Sequence, residues 1–233
     1  MINTQQKKKR RRSKEEKLKK LQEIINVGSK LYKEKGWGGF GMRALARSLG
    51  MSESNLYNYV KSKRELYIAI RSKYYEEFLD RLKKLINKNR GKISYVDLFL
   101  KIAEFYLNFA FEDYSRYKMM SIIPPPISKE KGPFEKSYQT YNIVQLTQDL
   151  IDEAVDAKEL DIKDTELLSY YFYNLVYGAV KVLREFDHSD PILEPIIPHN
   201  KLAIEEYRCL IKERYKAFLL KQIKNQLESS KRS

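Results

Sequence analysis

The sequence predicts an all-α protein in which a three-helix N-terminal domain precedes a larger helical domain. Hydrophobic residues make up 42% of the 233 residues, and they recur at helical spacing rather than in the alternation of strands. Charged residues make up 33% and the chain contains only 9 glycines, a composition that favours helix. The charge is also uneven. Residues 1–71 contain 19 Lys and Arg against 6 Asp and Glu, a balance of +13, which leaves +1 of the net +14 for the remaining residues.

The basic N-terminal third predicts an acidic partner. The phosphate backbone of a nucleic acid is one such partner. A membrane surface would also attract the basic segment. No apolar run approaches the roughly 18 residues that a spanning helix needs, and the chain does not begin with the apolar segment of a signal peptide. We therefore expect a soluble, cytoplasmic protein that binds double-stranded DNA and no membrane.

The cysteine and histidine counts exclude several kinds of site. Cys209 is the single cysteine, so it cannot form an intramolecular disulfide. With His188 and His199 it provides too few ligands for a zinc finger. No Ser/His/Asp or Cys/His set and no phosphate-binding loop is recognisable. We expect no enzyme activity, no metal and no cofactor.

The chain begins with a basic block. Residues 1–12 end in six consecutive Lys and Arg, whose mutual repulsion predicts a flexible arm. Such an arm is either a solvated tail or a segment that lies along phosphates or in a minor groove. The first helix is predicted to begin at Ser13, where Ser13 and Glu16 form a capping box, and to end at Gly36. Trp37 and Phe40 follow among glycines and are interpreted as core residues of a turn.

Two short helices are predicted over about 42–61, in a helix-turn-helix. Ala46 permits close approach of the second helix, and Gly50 can adopt the positive φ of a tight turn. Leu45, Leu49, Met51 and Leu56 would fill the space between the helices. Ser52 is suited to cap the second helix. The residues left to point outward are Arg43, Glu53, Ser54, Asn55, Tyr57 and Asn58.

A long amphipathic helix follows from a second capping box, Ser62 and Glu65, and ends near Gly91. Further helices are predicted at about 94–118, 134–157, 164–187 and 201–228. Proline-containing loops, from Pro124 to Pro133 and from Asp187 to Asn200, separate the later helices because proline removes a backbone donor.

The string from Leu45 to Leu66 carries a family resemblance. It includes Leu56-Tyr57-x-Tyr59-Val60-x-Ser62-Lys63-x-Glu65-Leu66 and is preceded by Lys35-Gly36-Trp37. It closely resembles the DNA-binding domain of the tetracycline-repressor (TetR) family. The resemblance covers about residues 13–75 and implies an effector-binding and dimerisation domain over 76–233. The implied function is that of a ligand-responsive repressor that binds a palindromic operator as a dimer.

The resemblance also implies the DNA contacts. It places Arg43 on a base or phosphate, Ser54, Asn55 and Tyr57 in the groove, and Tyr59 and Lys63 on the backbone. These side chains suit the task, because Arg pairs with guanine and Asn with adenine, while Tyr and Lys donate to phosphates. Tyr57 and Tyr59 could instead pack against the next helix. The complete predicted DNA-binding set is Arg43, Ser52, Glu53, Ser54, Asn55, Tyr57, Asn58, Tyr59 and Lys63.

Three positions depart from the family pattern. Gly41 stands where many relatives carry Thr or Ser, so a helix cap and a phosphate contact are in question. Glu53 is acidic at the start of the recognition helix, where we expect it to stabilise the helix terminus. Arg64 replaces a frequent acidic residue and is expected to add positive charge near the phosphate path.

Apolar and aromatic residues of the larger domain suggest its partners. The helices near 164–187 and 201–228 carry apolar stripes, and the resemblance implies that they pair with those of a second copy in a homodimer. Aromatic residues of the middle helices could line a pocket for a small apolar or amphipathic effector, or could be core. The candidate ligand-binding residues are Tyr106, Phe109, Tyr138, Tyr141, Tyr173 and Tyr177.

A DNA-packaging protein without sequence preference is the alternative from another class. Binding at raised salt discriminates the two, because nonspecific binding collapses while binding to a specific site survives better.

Overall fold

The structure is a computed structural model that describes residues 2–129, 131–138, 142–185 and 201–229. These residues form helices and turns without a strand, which confirms the all-α prediction. Tyr141, His188, His199 and the loop predicted from Asp187 lie outside the described residues. The helices are α1 (Ile2–Gly39), α2 (Met42–Ser48), α3 (Glu53–Leu56), α4 (Lys63–Asn89), α5 (Tyr95–Glu112), α6 (Tyr114–Ser121), α7 (Pro133–Ser137), α8 (Ile143–Asp156), α9 (Thr165–Glu185) and α10 (Lys201–Ser229).

The chain divides into two compact units. Unit 1 contains Met1–Phe78 and Asp113–Thr140, and unit 2 contains Leu79–Glu112 and Tyr141–Ser233. The first boundary falls inside α4. Unit 1 therefore includes the segment 113–140 in addition to the N-terminal domain predicted over 13–75.

Helix α1 begins earlier than the sequence predicted. Its backbone is helical from Ile2, so Ser13 is not its start and the basic block of residues 1–12 is not an irregular arm. Lys, Arg and Gln are good helix formers, and their propensity outweighs the repulsion that predicted a flexible segment. The predicted end is confirmed, because Gly36 has φ 62 and ψ −168 and breaks the helical path.

Helices α1 and α4 share the core of unit 1. Ile24, Leu66 and Ile70 are fully buried. A Cβ at Gly28 would lie 3.0 Å from the Ile70 Cδ1, so glycine lets the helices approach closely. Ser29 Oγ and the Tyr74 hydroxyl share a buried hydrogen bond of 2.7 Å, which joins the two helices.

Helix α6 is also anchored in unit 1. The Tyr67 hydroxyl donates to the Met119 carbonyl at 2.7 Å and also to that of Ile123. The Tyr75 hydroxyl donates to the Met120 carbonyl at 2.9 Å. Two tyrosines of α4 thereby satisfy the carboxyl-terminal carbonyls of α6, which have no partner within their own helix.

Two helices predicted as continuous are divided. The helix expected over 94–118 breaks at Asp113, whose side chain accepts from the Arg116 backbone N–H at 3.0 Å and caps α6. The helix expected over 134–157 is replaced by α7 and α8, and Asn142 caps α8 by accepting from Gln145 N–H at 3.1 Å. Short polar side chains compete for backbone donors in this way.

Unit 2 is a bundle in which α5, α8, α9 and α10 pack against one another. The rings of Phe99 and Phe172 stack with centroids 5.8 Å apart. Helices α9 and α10 agree with their predicted ranges. Within the described part of the chain, no helix has the length and hydropathy needed to cross a membrane.

Candidate nucleic-acid interface

Helices α2 and α3 form the predicted helix-turn-helix scaffold. Leu45, Ala46 and Leu56 are buried between them, as expected of the crossing. Gly50 has φ +63, the left-handed conformation that its turn requires. The Met51 backbone N–H donates to the Ala46 carbonyl at 3.0 Å, so the turn folds back onto α2.

The start of α3 is capped as predicted. Ser52 Oγ accepts from the Asn55 backbone N–H at 3.2 Å, whereas Gly41 gives α2 no side-chain cap. Helix α3 itself is short, and the chain continues to Val60 in turns. Predicted contact residues that are exposed on this segment are Ser52, Ser54, Asn55, Tyr57 and Asn58.

Arg43 and Glu53 form an ion pair across the helix-turn-helix. The Arg43 Nε lies 3.4 Å from the Glu53 Oε2, with side-chain exposures of 82% and 38%. The pair holds the guanidinium over the first turn of α3. Because the guanidinium is largely exposed, most of its donors remain available for an acceptor in solution or on DNA.

Lys63 rests on an aromatic platform that the sequence did not reveal. Its Nζ lies 4.3 Å from the ring centroid of Trp37 and 5.6 Å from that of Phe40. The two rings stack with centroids 6.0 Å apart. Burial lowers the pKa of Lys63 from its usual value. Trp37 was interpreted only as a core residue, and its spacing from Lys63 along the sequence does not indicate the contact.

In the capping box of Ser62 and Glu65, one of the two predicted hydrogen bonds is present and the other is replaced. Ser62 Oγ accepts from the Glu65 N–H at 3.0 Å, as expected. The Glu65 carboxylate instead accepts from the N–H groups of Lys61, at 2.5 Å, and Phe134, at 2.9 Å. This carboxylate is fully buried. Phe134, which is distant in sequence, takes up a carboxylate oxygen that the capping box would otherwise use.

Arg64 also differs from its expectation. Its Nε lies 2.6 Å from the Glu135 Oε1, and its Nη1 donates to the Pro126 carbonyl at 3.1 Å. The guanidinium charge is therefore paired inside unit 1. The expectation that it adds positive charge to the phosphate path was wrong.

A family model matches this part of the chain. The model describes bacterial regulatory proteins of the tetR family and matches residues 24–70, which include the platform, α2, α3 and the start of α4. Over these residues the chain is similar to that family. The matched segment contains the helix-turn-helix described above. No curated protein matches the chain.

Solved structures share the fold along most of the chain. A TetR-family transcriptional regulator from Pectobacterium atrosepticum has a TM-score of 0.61 at 15% identity and covers 92% of this chain and 95% of its own. A TetR/AcrR-family regulator from Thermobifida fusca has a TM-score of 0.55 at 18% identity, covering 87% and 97%. At these identities the comparison shows the fold alone.

The described candidates for effector binding belong to both units. Phe109 is 1% exposed and belongs to the core, and the Tyr173 and Tyr177 rings stack with centroids 5.9 Å apart. Tyr106 is half-buried in unit 2, whereas Tyr138 belongs to unit 1. Their role in ligand binding stays a prediction.

A cleft of unit 2 lies beside other residues. Its volume is about 390 Å³, and the residues that line it come from α5, α9 and α10: Leu107, Asn108, Phe111, Leu183, Arg184, Cys209, Glu213 and Lys216. Lys216 Nζ donates to Asn108 Oδ1 at 3.1 Å and lies 3.3 Å from a Glu104 carboxylate oxygen. The cleft thus combines an apolar wall with two cationic side chains, Arg184 and Lys216, and one acidic side chain, Glu213. The sequence analysis named none of its residues as ligand contacts.

Proposed function

We propose that this protein is a homodimeric, ligand-responsive repressor of the TetR family that reads a palindromic operator and acts in the cytoplasm, where its DNA partner lies. The observation that carries the proposal is the polar face of the helix-turn-helix. There the capped start of α3 presents Ser54 and Asn55, and Arg43 is held beside them by Glu53. Such a helix start can enter a major groove and place these side chains at base edges.

The remaining predicted contacts extend the same face. Tyr57 is 40% exposed, Asn58 follows it, and Tyr59 is half-buried just before the start of α4. We assign Tyr59 and Lys63 to the phosphate backbone, because their donors suit phosphate oxygens. Ser52 and Glu53 act mainly by stabilising and charging the start of α3.

Large apolar side chains on α9 and α10 support a homodimer. Leu167 is 64% exposed and Phe218 is 59% exposed, and Tyr170, Tyr171 and Val182 are also exposed on α9. These helices pack together in unit 2. Apolar surface of this kind gains free energy when a second copy covers it. A two-fold dimer requires an operator with two related half-sites.

The cleft of unit 2 supports an amphipathic effector. Leu107, Phe111 and Leu183 would contact an apolar group, while Arg184 and Lys216 would attract an acidic one. Ligand sites commonly combine apolar walls with a few placed polar groups. We propose that occupation of this cleft lowers the affinity for the operator.

Selection of bound duplexes from random DNA tests the proposal. Enrichment of a palindrome with half-sites about one helical turn apart, or a multiple of it, is expected of a dimer that reads two major grooves. Failure to enrich any sequence would contradict specific regulation. Titration of the selected operator complex with amphipathic carboxylates should then release the DNA, and Lys216→Gln should weaken that response.

A further inference from the structure

We propose that a second element contacts DNA: the segment of residues 124–129 and 131–136, which follows α6 and extends into α7, called here the strap. In this proposal Lys129, Lys131 and Lys136 meet phosphates of the duplex that the helix-turn-helix binds. The inference rests on the proposed DNA binding. It adds a phosphate-binding site outside the helix-turn-helix and outside residues 24–70, which match the family model.

The carboxylate of Glu65, in the first turn of α4, joins the strap to Lys61. Glu65 Oε1 accepts from the Phe134 N–H at 2.9 Å, and its Oε2 accepts from the Lys61 N–H at 2.5 Å. The backbone of the strap is thereby held one carboxylate group away from the backbone of Lys61. Lys61 lies between Tyr59 and Lys63, the two residues assigned to phosphates, so the strap adjoins the phosphate-facing surface.

Further contacts fix the orientation of the strap. Arg64 joins Glu135 and the Pro126 carbonyl, with bonds of 2.6 and 3.1 Å at two places along the segment. A Cβ built at Gly132 would overlap the Glu65 carboxyl group. Glycine therefore lets the strap lie directly on the carboxylate, and the strap is positioned over several residues rather than at one point.

The charge of this region complements DNA. Lys129, Lys131 and Lys136 are exposed, as is Lys61. In residues 61–65 and 124–137 together, the sequence contains six basic residues against three acidic ones, even with Glu130 counted. Two of the acids are occupied in holding the strap, because Glu135 pairs with Arg64 and Glu65 accepts backbone donors.

The three strap lysines are not used in the hydrogen bonds that attach the strap to Arg64 and Glu65. The hydrogen bonds that join the described strap residues to Arg64 and Glu65 use backbone groups and the side chains of Arg64, Glu65 and Glu135, and these bonds do not involve a strap lysine. A cation that approaches a phosphate releases condensed counterions and makes binding depend on salt. The three lysines therefore predict a measurable share of the salt dependence of DNA binding.

The test compares two triple variants of the full chain. Lys129→Gln, Lys131→Gln and Lys136→Gln remove the strap charges. Lys83→Gln, Lys84→Gln and Lys88→Gln remove the same charge from exposed positions of α4 in unit 2. Binding is measured between 50 and 200 mM salt on the selected operator and on a mixed-sequence duplex. Circular dichroism verifies that both variants keep their helices.

Three phosphate contacts contribute about 2.7 to the slope of log K against log salt. We expect the slope of the strap variant to be smaller by that amount. Between 50 and 200 mM salt, the affinity of wild type should therefore fall by a factor roughly 40 times larger than that of the variant. The control variant should keep the wild-type slope. Equal slopes for both variants and wild type would overturn the strap contact, and equal reductions in both variants would do the same by indicating a general charge effect.

Lysine footprinting provides an independent measurement. Acetylation of Lys129, Lys131 and Lys136 in wild type should slow when DNA is bound, while Lys83, Lys84 and Lys88 should react as before. Unchanged acetylation of the strap would contradict the proposal. A lack of sequence preference in the selection would contradict specific regulation instead, and the mixed-sequence duplex would still decide the strap contact.

Discussion

Arg43 is a proposed DNA contact with an acidic neighbour. Glu53 holds its Nε at 3.4 Å, and the two charges partly cancel beside the recognition helix. A phosphate that approaches the Nε of Arg43 would therefore compete with Glu53, while the other donors of the guanidinium remain available. We therefore expect the ion pair to weaken binding to duplexes of arbitrary sequence more than binding to the operator.

Glu53→Gln should consequently tighten binding to mixed-sequence DNA. We expect the slope of log K against log salt to become steeper by about 0.9, the contribution of one additional phosphate contact. Discrimination between operator and mixed DNA should fall. Fluorescence anisotropy over a salt series measures both quantities. Asp152→Asn, at an exposed position of unit 2, is the control, and an unchanged slope in Glu53→Gln would contradict this role.

Trp37 is expected to act on DNA through Lys63. Exposed cation–π contacts are worth about 0.5–1 kcal/mol, so Trp37→Leu should weaken operator binding by about 2- to 5-fold. Lys63→Gln should weaken it as well. If the ring positions the ammonium, Trp37→Leu should have little further effect in the Lys63→Gln background. Fully additive losses would show that the two residues act separately.

At the scale of the element, the kink of α1 depends on a single glycine. Gly36 combines φ 62 with ψ −168, a region that residues with a Cβ rarely occupy. Gly36→Ala should lower the free energy of unfolding by about 1–3 kcal/mol. Gly38→Ala is a matched control, because a Cβ there meets nothing within 4 Å, and it should be neutral or slightly stabilising. Urea unfolding measures both, and equal effects would contradict the strain argument.

The elements also show which features a sequence can predict. The caps at Ser52 and Ser62 and the turn at Gly50 were predictable, because each depends on residues within three or four positions. The breaks at Asp113 and Asn142 were missed, since apolar spacing continues across them while a polar side chain takes over the backbone donors. The start of α1 was missed for the opposite reason, because helix propensity prevailed over charge repulsion.

The candidate site divides in the same way. Exposed polar residues of α3 could be proposed from local pattern and family resemblance. The contacts of Trp37 with Lys63 and of Glu65 with Phe134 could not. In the second case 69 positions separate the partners, and only the folded chain brings them together.

For the whole molecule, buried tyrosines predict an alkaline limit to stability. Burial raises the pKa of Tyr32 to about 12, with Tyr74 and Asp113 adding to the effect, and burial also raises the pKa of Tyr67. The folded state thus holds these protons more tightly than the unfolded chain. Their contribution is complete below the unfolded pKa near 10 and is lost as the pH rises toward 12.

Urea unfolding from pH 9 to pH 12 measures this loss. Each such group should contribute up to about 1.4 kcal/mol per pH unit in that window. Tyr32→Phe should make the decline shallower, because its ring cannot ionise, whereas Tyr170→Phe, at a 47% exposed position, should leave it unchanged. An identical decline in Tyr32→Phe and wild type would exclude Tyr32 as a source.

The proposed dimer makes a second prediction for the whole molecule. Leu167→Glu combined with Tyr171→Glu places charges on the exposed apolar face of α9 and should give a monomer by light scattering. Affinity for a two-half-site operator should fall sharply while helicity is retained. Leu18→Glu is the control, because Leu18 is 58% exposed in unit 1. A double variant that remains dimeric would refute this interface.

The aromatic platform under Lys63 has an optical consequence. Trp37 is the only tryptophan of the chain, so all indole emission comes from a ring in unit 1. That ring contacts Lys63, the residue proposed to bind a DNA phosphate. The native protein therefore contains its own spectroscopic label. A change in its emission would report DNA binding or unfolding near Lys63, because unit 2 contributes no indole signal.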